Sequence, residues 1–415
     1  MDEKALLVII DEKRKSTWPV EDVRDELKEL VIACQVEPLN SIVCRMDKPS
    51  PAFLIGSGKV EEIVHFCQAI PVDVVIFSCD LKGSQQRNLE KAVNAKVIDR
   101  TQLILDIFAR RATSNEGKMQ VELAQLEYLL PRLVGKGVEL SRLGGGIGTL
   151  GPGETKLETD RRRILSRIDK LKNALKDVGL DRALKRKKRK DQQIPLISLV
   201  GYTNAGKSTL LNTLTQAAQR TQDGLFTTLD SLSRQMILPN NQKIIVSDTV
   251  GFMHDLPHHL IESFKATLEE VREADILLNV LDVSHPHFRS FQESVCSVLK
   301  ELEVSETPII TVFNKIDKLE DLSVLEDLQE DFDSSVAISA LTGANLPLLL
   351  EKISAFLEPN LVDIAVKIPI DRMDLVNMLH TQGKVHSIKY FSKHIRILAT
   401  IPLQMDRKFY LDFHA

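Results

Sequence analysis

The sequence has few of the residues that mark disulfide-rich, metal-binding or membrane proteins. Its 415 residues include 5 cysteines and 1 tryptophan, and aromatic side chains amount to 5%. The cysteines are scattered, odd in number and without a C-x-x-C pair, which favours reduced thiols in a cytoplasmic protein. No segment approaches the roughly 18 apolar residues of a membrane span, and the charged N-terminus does not resemble a signal peptide. We therefore expect no stable membrane insertion.

Charge and length indicate several folded domains and one unusual segment. Hydrophobic residues make up 43% of the chain, which is enough for buried cores. A chain of this length corresponds to roughly two to four domains of ordinary size. The net charge is −4, yet the segment 155–190 holds 15 Lys or Arg against 5 Asp or Glu. A local field of this size favours a polyanionic partner.

The first 100 residues alternate strand-like runs, such as 6–10 and 72–77, with helix-like runs. This alternation predicts a small α/β domain with a largely parallel sheet over 1–100. Within it, Gly56-Ser57-Gly58-Lys59 follows a strand-like run. The pattern lacks the spacing of a phosphate-binding loop, so a tight turn is favoured over a second nucleotide site.

Residues 101–193 are predicted to form an antiparallel helical hairpin. Segment 143–154 holds six glycines and a proline, so it cannot remain helical and is expected at the tip. The basic run 185–190 is expected to act as a linker. The hairpin is either a packing element with a solvated basic face or an element that reaches into folded RNA. RNA is favoured, because backbone amides and cations both engage phosphates. Two apolar seams at heptad-like spacing would face each other: Met119, Leu123, Leu126, Leu130 and Leu133 in one, and Leu157, Ile164, Ile168, Leu171, Leu175 and Val178 in the other.

From about residue 194 the pattern becomes strand, loop and helix in repetition. The first strand-like run leads into Gly201-Tyr202-Thr203-Asn204-Ala205-Gly206-Lys207-Ser208. This is G-x-x-x-x-G-K-S between a strand and a helix, the context in which the motif binds phosphates. Backbone amides and the helix N-terminus would hold the phosphates. Lys207 would reach the β and γ phosphates, and Ser208 would be a Mg²⁺ ligand.

Two further elements complete the predicted phosphate site. A second buried strand ends in Asp248-Thr249-Val250-Gly251. Asp248 is placed to hold Mg²⁺ through water, and Gly251 can offer its N–H to the γ-phosphate. Between the P-loop and this strand lies a loop with Thr227 and Thr228. A threonine there can reach Mg²⁺ and the γ-phosphate, and Thr228 is favoured over Thr227.

A third strand indicates which base is bound. It ends in Asn314-Lys315-Ile316-Asp317, and the Asp317 carboxylate can accept from both N1–H and the exocyclic amine of guanine. The stem of Lys315 would cover the base plane, and Asn314 would tie this loop to the P-loop. A fourth strand ends in Ser339-Ala340-Leu341, where the Ala340 N–H can meet guanine O6. The order of these motifs predicts GTP and GDP as ligands.

The expected fold class is α/β, with a P-loop GTPase domain over 194–359. It is preceded by the small α/β domain and the helical hairpin, and followed by a short α+β domain over 360–415, whose function the sequence does not indicate. The catalytic candidates are Lys207, Thr228 and Gly251, and the metal-binding candidates are Ser208, Thr228 and Asp248. The nucleotide-binding candidates are Gly201, Tyr202, Thr203, Asn204, Ala205, Gly206, Lys207, Ser208, Thr209, Leu225, Phe226, Thr227, Thr228, Asp248, Thr249, Val250, Gly251, Asn314, Lys315, Asp317, Ser339, Ala340 and Leu341.

Over nearly its whole length the chain resembles the HflX-type GTPases, a translation-associated class related to Obg. The resemblance is carried by RTQLILDIFARRA, EGKMQVELAQLEYLLPRLVGKG and LSRLGGGIGTLGPGETKLETDRRR, together with GYTNAGKSTLLN, LFTTLD, DTVGF, LPHHLIESFKATLEE and NKID. The three long hairpin signatures are more specific than the nucleotide motifs, which many GTPases share.

The resemblance implies a partner. Members of the family bind the large ribosomal subunit near its functional centre through the N-terminal domain and the hairpin. They act on stalled or idle ribosomes, and some split them under stress. The corresponding ribosome-binding candidates are Arg142, Gly144, Gly145, Gly146, Arg161, Arg162 and Arg163.

Three positions bear on the expected mechanism. Phe252 stands where many GTPases carry a water-orienting glutamine, so we expect slow hydrolysis that the ribosome or a bound cation completes. Asn204 resembles the asparagine of potassium-stimulated GTPases, which makes K⁺ a second candidate cofactor beside Mg²⁺; the alternative is that it only shapes the loop. Met253-His254 stands where relatives usually show Ile-Arg. If that arginine contacts RNA or nucleotide in the family, His254 would make the same contact only weakly or when protonated.

Three other functions remain open on the sequence. An ATPase or kinase would have no use for N-K-x-D. A non-catalytic RNA- or ribosome-binding module, whose GTP state only gates binding, is kept open by Phe252. A membrane-surface GTPase would need an apolar face that inserts into the bilayer. The apolar seams of the hairpin are expected to face each other, so neither would be available for insertion. We expect a cytoplasmic monomer that binds no DNA and associates with membranes only peripherally.

Overall fold

The computed structural model divides the chain into two compact units, the first up to Leu180 with short later segments and the second comprising most of the chain from Asp181 onward. Among the residues that the structure describes, no helix is long and apolar enough to cross a bilayer. The described residues are 3–12, 18–133, 152–192, 194–216, 226, 232–254, 265–304, 307–321, 323–332, 334–358 and 361–402.

The first unit begins with a parallel four-stranded sheet in the order β2-β1-β3-β4. The strands are apolar and buried because helices cover both faces of such a sheet. Leu6, Val8, Val75 and Phe77 lie in the central core cluster. The strands are β1 (Lys4–Glu12), β2 (Glu37–Met46), β3 (Val74–Phe77) and β4 (Lys96–Asp99), and the connecting helices are α1 (Val20–Ala33), α2 (Ser57–Ala69) and α3 (Gly83–Val93).

The short motif Gly56-Ser57-Gly58-Lys59 lies at the start of α2. Gly56 is the residue before the helix, and it has an ordinary extended φ of −70°. The ammonium of Lys59 pairs with Glu62 one turn further along the same helix, at 2.7 Å. The motif therefore starts a helix, and its lysine is engaged in a local ion pair.

Asp99 connects the sheet to the helices that follow it, α4 (Arg100–Arg111) and α5 (Asn115–Leu129). Its buried carboxylate caps α4 by accepting the backbone N–H of Gln102 at 2.8 Å. It also accepts the Tyr128 hydroxyl at 2.8 Å and the Arg132 guanidinium at 2.9 Å. Burial raises the pKa of Asp99, and these donors oppose that rise. Because one carboxylate bonds three segments, it fixes where α5 leaves the domain.

Helix α6 (Pro152–Asp191) is 40 residues long. Leu123 of α5 is buried with Ile168 and Leu171 of α6, and the remaining contacts of this cluster come from the same two seams, as the heptad spacing predicted. Ion pairs flank the apolar contact, with Arg167 bidentate to Glu122 at 2.6 and 2.7 Å. The basic run 185–190, expected as a linker, lies within this helix.

The second unit contains a six-stranded sheet in the order β10-β9-β8-β5-β7-β6. All neighbouring pairs are parallel except β6 with β7. The strands are β5 (Leu196–Gly201), β6 (Leu232–Ile237), β7 (Lys243–Asp248), β8 (Ile276–Asp282), β9 (Ile309–Asn314) and β10 (Ser335–Ala337), and the helices are α7 (Lys207–Thr215), α8 (Lys265–Arg272), α9 (Phe288–Glu301), α10 (Val324–Glu330) and α11 (Leu346–Leu357).

The C-terminal segment forms an antiparallel sheet in the order β11-β13-β12 with one helix, so it is α+β as expected. Its elements are β11 (Leu361–Pro369), α12 (Met373–Gln382), β12 (Lys384–Tyr390) and β13 (His394–Pro402). Alternate apolar residues of the strands pack on α12 through Leu375, Val376 and Leu379. The helix covers one face of this sheet.

Candidate nucleotide-binding site

The P-loop connects β5 to α7 and needs glycine at both ends. Gly201 and Gly206 have φ values of +147° and +95°, which side chains rarely adopt. A Cβ on Gly201 would collide with the carbonyl oxygen of Val280, and one on Gly206 would collide with the Asn314 amide. Asn204 also has positive φ, at +61°, and its side chain is exposed. The sequence folds this way because small or αL-tolerant residues stand where the loop turns.

Lys207 is the first residue of α7 and is buried. Its ammonium donates to the carbonyl oxygens of Gly201 at 3.0 Å and Tyr202 at 2.7 Å. Burial lowers the pKa of Lys207 to about 8, although Asp248 opposes the shift. The charge is therefore weakly compensated where it stands, and an anion at this position would stabilise it.

Ser208 and Asp248 bring two oxygen donors together. The Ser208 hydroxyl donates to Asp248 Oδ2 at 2.5 Å. Asp248 is the last residue of β7, which pairs with β5 so that Leu199 lies opposite it. Thr249 then fixes the chain by donating its hydroxyl to the Leu199 carbonyl at 2.6 Å. A hydroxyl and a carboxylate are hard oxygen ligands of the kind Mg²⁺ prefers, so this pair fits a magnesium ion.

Gly251 lies against the P-loop. A Cβ on it would approach Thr203 Cα and Cγ2 at 2.8 Å and Lys207 Nζ at 3.1 Å, so no side chain fits without displacing the loop. The next residue joins the two loops by backbone bonds: Thr203 N–H donates to Phe252 O at 2.9 Å, and Phe252 N–H donates to Gly201 O at 3.0 Å. The Phe252 ring is only 2% exposed. It packs inside the protein and offers no group for orienting water.

Asn314 connects the third predicted loop to the P-loop. Its amide donates to the Ala205 carbonyl at 2.8 Å and accepts the Ala340 N–H at 2.9 Å. The Ser339 hydroxyl donates to Asp317 Oδ1 at 2.5 Å and orients that carboxylate. The structure thus brings together the P-loop, the N-K-x-D loop and the loop after β10, all at the carboxyl ends of parallel strands.

Two contributors to the site were not predicted from the sequence. Asp282, at the end of β8, pairs with Lys315 Nζ at 2.5 Å and holds the lysine stem. Phe291 of α9 stacks on the ring of the predicted site residue Tyr202, with centroids 4.2 Å apart and planes 8° apart. Only Asp282 had a signal in the sequence, since it ends a buried strand as the other site residues do.

The remaining candidates are distributed as follows. Thr209 lies in the first turn of α7, Val250 is buried, and Leu341 is 76% exposed. Phe226 is buried in the first unit, where its ring meets Phe108 edge-on at 4.7 Å, so its side chain packs. Outside the described residues lie Leu225, Thr227, Thr228, Arg142, Gly144, Gly145 and Gly146.

The three arginine candidates of the hairpin lie near the start of α6 and are exposed. Arg162 pairs with Glu158 at 3.1 Å, and Arg163 pairs with Asp160 at 3.7 Å, both through largely solvated side chains. Such exposed pairs contribute little to stability. The guanidinium groups therefore remain accessible to an anionic surface.

A P-loop, a D-x-x-G loop and an N-K-x-D loop at the carboxyl edge of one parallel sheet define a P-loop GTPase. Three family models match the chain: GTP-binding GTPase N-terminal over 21–109, GTP-binding GTPase Middle Region over 111–189, and 50S ribosome-binding GTPase over 196–315. GTPase HflX of Caldanaerobacter subterraneus subsp. tengcongensis is 44% identical over 406 residues, which are 98% of this chain and 92% of the relative. The chain belongs to the HflX family of GTPases.

A second relative agrees with this assignment, and a solved structure shows a weaker likeness. GTPase HflX of Escherichia coli K12 is 43% identical over 351 residues, covering 84% of this chain and 82% of the relative. Among solved structures, a GTP-binding protein from the archaeon Sulfolobus solfataricus in complex with GDP is 28% identical, with a TM-score of 0.45. The matched region covers 85% of this chain and 98% of the archaeal chain.

Proposed function

We propose that this GTPase binds and hydrolyses GTP slowly on its own and faster on the large ribosomal subunit, where it acts in ribosome splitting, rescue or quality control under stress. The observation that carries the proposal is the arrangement of side chains around α6. One side of this helix is fixed to α5 by the apolar seam, while Arg161, Arg162 and Arg163 face solvent. A rigid helix with outward-facing guanidinium groups suits docking on ribosomal RNA, because phosphate contacts supply much of the affinity.

The geometry of the P-loop supports the roles proposed for its residues. Gly201 to Thr209 would surround the phosphates with backbone N–H groups, and Lys207 would exchange its two carbonyl partners for phosphate oxygens. Gly251 would donate its N–H to the γ-phosphate, because the missing Cβ permits the close approach. Since Phe252 is buried and apolar, this chain lacks a side chain there to orient the attacking water, and this supports a slow intrinsic rate.

Two cations are proposed for the site. Ser208 and Asp248 would hold Mg²⁺, with Thr228 as the third candidate. When bound, Mg²⁺ would neutralise charge that develops between the β and γ phosphates. Asn204 would contribute to a K⁺ site through its exposed side chain. Its αL backbone equally fits the alternative that it only shapes the loop.

Guanine specificity is proposed to come from three groups. Asp317, oriented by Ser339, would accept from guanine N1–H and the exocyclic amine. The Ala340 N–H, which donates to Asn314 Oδ1 at 2.9 Å, would exchange this acceptor for guanine O6 or share its hydrogen between the two oxygens. The Lys315 stem, held by Asp282, would cover the ring. ATP would leave the Asp317 carboxylate without its donors, so we expect rejection by roughly 10⁴-fold.

The test is GTP hydrolysis in KCl with and without purified large ribosomal subunits. We compare the wild type with Lys207→Ala and with a triple Arg161→Gln, Arg162→Gln, Arg163→Gln variant. A control of equal charge replaces exposed Lys28, Lys48 and Lys300 by glutamine. Strong stimulation that the arginine triple loses and the lysine triple keeps would support docking through α6. Equal stimulation of both triples would refute it, and no stimulation of the wild type would refute activation by the ribosome.

A further inference from the structure

The small C-terminal sheet has one face that none of the described elements covers. Alternate residues of β11, β12 and β13 point toward α12 and are buried. The residues between them lie on the opposite face and are exposed or half-exposed. We call this surface the open face. On β13 it consists of His394, Arg396, Leu398 and Thr400, with the partners that strand pairing places beside them.

A row of three cations crosses the open face. Arg396 on the central strand lies directly opposite Lys367 of β11 and Lys389 of β12. Neighbouring strands are about 4.8 Å apart, so three like charges stand side by side. All three side chains are exposed. Like charges in directly opposite positions repel each other, and an anionic ligand would remove that cost.

A pair of rings lies beside this row, toward the turn between β12 and β13. Phe391, in the turn between β12 and β13, stacks on His394 with centroids 4.8 Å apart and planes 16° apart. His394 is two residues from Arg396, so the two share the open face. The pair is accessible, since Phe391 is 47% exposed and His394 is partly exposed. A flat stacked pair beside a guanidinium provides a platform for a nucleobase.

The acidic part of the face lies away from this region. Asp363 is four residues from Lys367 along β11, about 13 Å away at the usual rise. Its carboxylate accepts the Thr400 hydroxyl, which also bonds with His386 Nε2 at 2.7 Å. The acid is therefore occupied locally and does not neutralise the cation row. The end of the face with Arg396 and Phe391 is both basic and aromatic.

We propose that this end of the open face binds single-stranded RNA, with phosphates along Lys367, Arg396 and Lys389 and a base stacked on the Phe391–His394 pair. Cations that follow the backbone and a ring that accepts a base are the combination by which proteins hold single strands. This contact goes beyond the docking proposed for α6, because it uses a separate surface and a different RNA form. It assigns a role to the C-terminal domain.

The experiment measures binding of a fluorescein-labelled 12-nucleotide oligouridylate to the full chain by anisotropy, over a series of salt concentrations. The face variant replaces Lys367, Lys389 and Arg396 by glutamine. The matched control is the triple Lys28→Gln, Lys48→Gln, Lys300→Gln variant. We expect the face variant to bind at least roughly tenfold more weakly, and its log-log salt slope to fall by about 2, because each lost phosphate contact contributes ~0.7. The control triple should stay within about twofold of the wild type.

A second variant tests the stacking. Phe391→Leu keeps an apolar side chain but removes the ring, so we expect at least roughly fivefold weaker binding with an unchanged salt slope. Equal losses in the face and control triples would overturn the proposal in favour of diffuse electrostatics. Unchanged oligonucleotide binding by the face triple, with lost binding to ribosomal subunits, would assign the face to a protein and also overturn it. Since the probe is free RNA, the result is independent of whether ribosomes stimulate GTP hydrolysis.

Discussion

The ring of Tyr202 in the P-loop stacks on Phe291 of α9, and its phenolic oxygen accepts the backbone N–H of His254 at 3.1 Å. His254 lies three residues beyond Gly251, in the loop proposed to sense the γ-phosphate. His285 adds a third ring to the cluster, 4.6 Å from Phe291. One side chain of the P-loop thus connects the phosphate loop, the D-x-x-G loop and a helix of the core.

Replacing Tyr202 by phenylalanine tests this connection, because the stacked ring stays and the acceptor for His254 N–H is lost. A neutral hydrogen bond contributes about 1 kcal/mol, so we expect single-turnover GTP hydrolysis to slow by roughly fivefold. The affinity for GDP should stay unchanged, since the phosphate-facing backbone is kept. Tyr202→Leu, which also removes the stack, should lower both. A hydrolysis rate equal to that of the wild type in Tyr202→Phe would show that the hydrogen bond does not position the loop.

The lowered pKa of Lys207 predicts that nucleotide binding takes up a proton in mildly alkaline solution. Burial holds this pKa at about 8 in the free protein. Phosphate oxygens beside the ammonium would raise the pKa again. Near pH 8.5 most free protein therefore carries a neutral Lys207, while the complex carries the charged form. The affinity for GDP should fall as pH rises above about 8.

Calorimetry of GDP binding in two buffers with different ionisation enthalpies measures this proton directly. We expect up to one proton taken up per nucleotide near pH 8.5 and little at pH 6.5, where both states are charged. Lys207→Met, which is uncharged at all pH values, is the control and should show no uptake at either pH. Proton release by the wild type at pH 8.5 would contradict the proposed position of the phosphates beside Lys207.

How much of this structure the sequence predicted depends on whether a feature is local. The glycines of the P-loop, Asp248 at a strand end and Asn314 at another are local patterns, and parallel strands bring their ends to one edge. The seams of α5 and α6 were legible because their spacing has the period of a packed helix pair. The stack of Tyr202 on Phe291 was not, because the two residues lie on different elements and no pattern shows how α9 turns toward the P-loop.

The basic run 185–190 shows a different limit. The expectation that it acts as a linker is wrong, because Lys and Arg are good helix formers and carry the helix to Asp191. Acidic partners elsewhere in the chain also support this part of the helix: Arg186 pairs with Glu269 of α8 at 2.7 Å. Such a partner is 83 residues away in sequence, so the run alone could not reveal it.

Replacing Asp317 by asparagine should change the preferred base from guanine to xanthine. The Ser339 hydroxyl donates to one oxygen of Asp317. In Asp317→Asn that oxygen remains an acceptor, so the new NH₂ group would face the base. It would repel the donors of guanine and suit the additional carbonyl of xanthine. Loss of one or two charge-assisted hydrogen bonds predicts roughly 10²–10⁴-fold weaker GDP binding.

Displacement of a bound fluorescent nucleotide by GDP and by xanthosine diphosphate (XDP) measures the change in base preference. Ser339→Ala is the companion variant: it keeps the carboxylate but loses the orienting bond, so GDP binding should weaken by about tenfold or less, without a gain for XDP. If Asp317→Asn still prefers GDP, then Asp317 does not select the base.

Replacing Asn204 by glycine separates the two roles that remain open for this residue. Its φ of +61° is as accessible to glycine as to asparagine, so Asn204→Gly keeps the loop and removes only the side chain. If the side chain helps to hold K⁺, the wild type should hydrolyse GTP at least roughly tenfold faster in KCl than in NaCl, and the variant should be equally slow in both. If Asn204 only shapes the loop, wild type and variant should respond alike to the two salts.

GDP affinity measured in both salts is the control, because an intact loop should bind GDP equally well in all four combinations of protein and salt. Equal turnover of the wild type in KCl and NaCl would exclude a stimulatory K⁺ site at Asn204, and the slow hydrolysis implied by Phe252 would then have to be completed by a partner rather than by a cation.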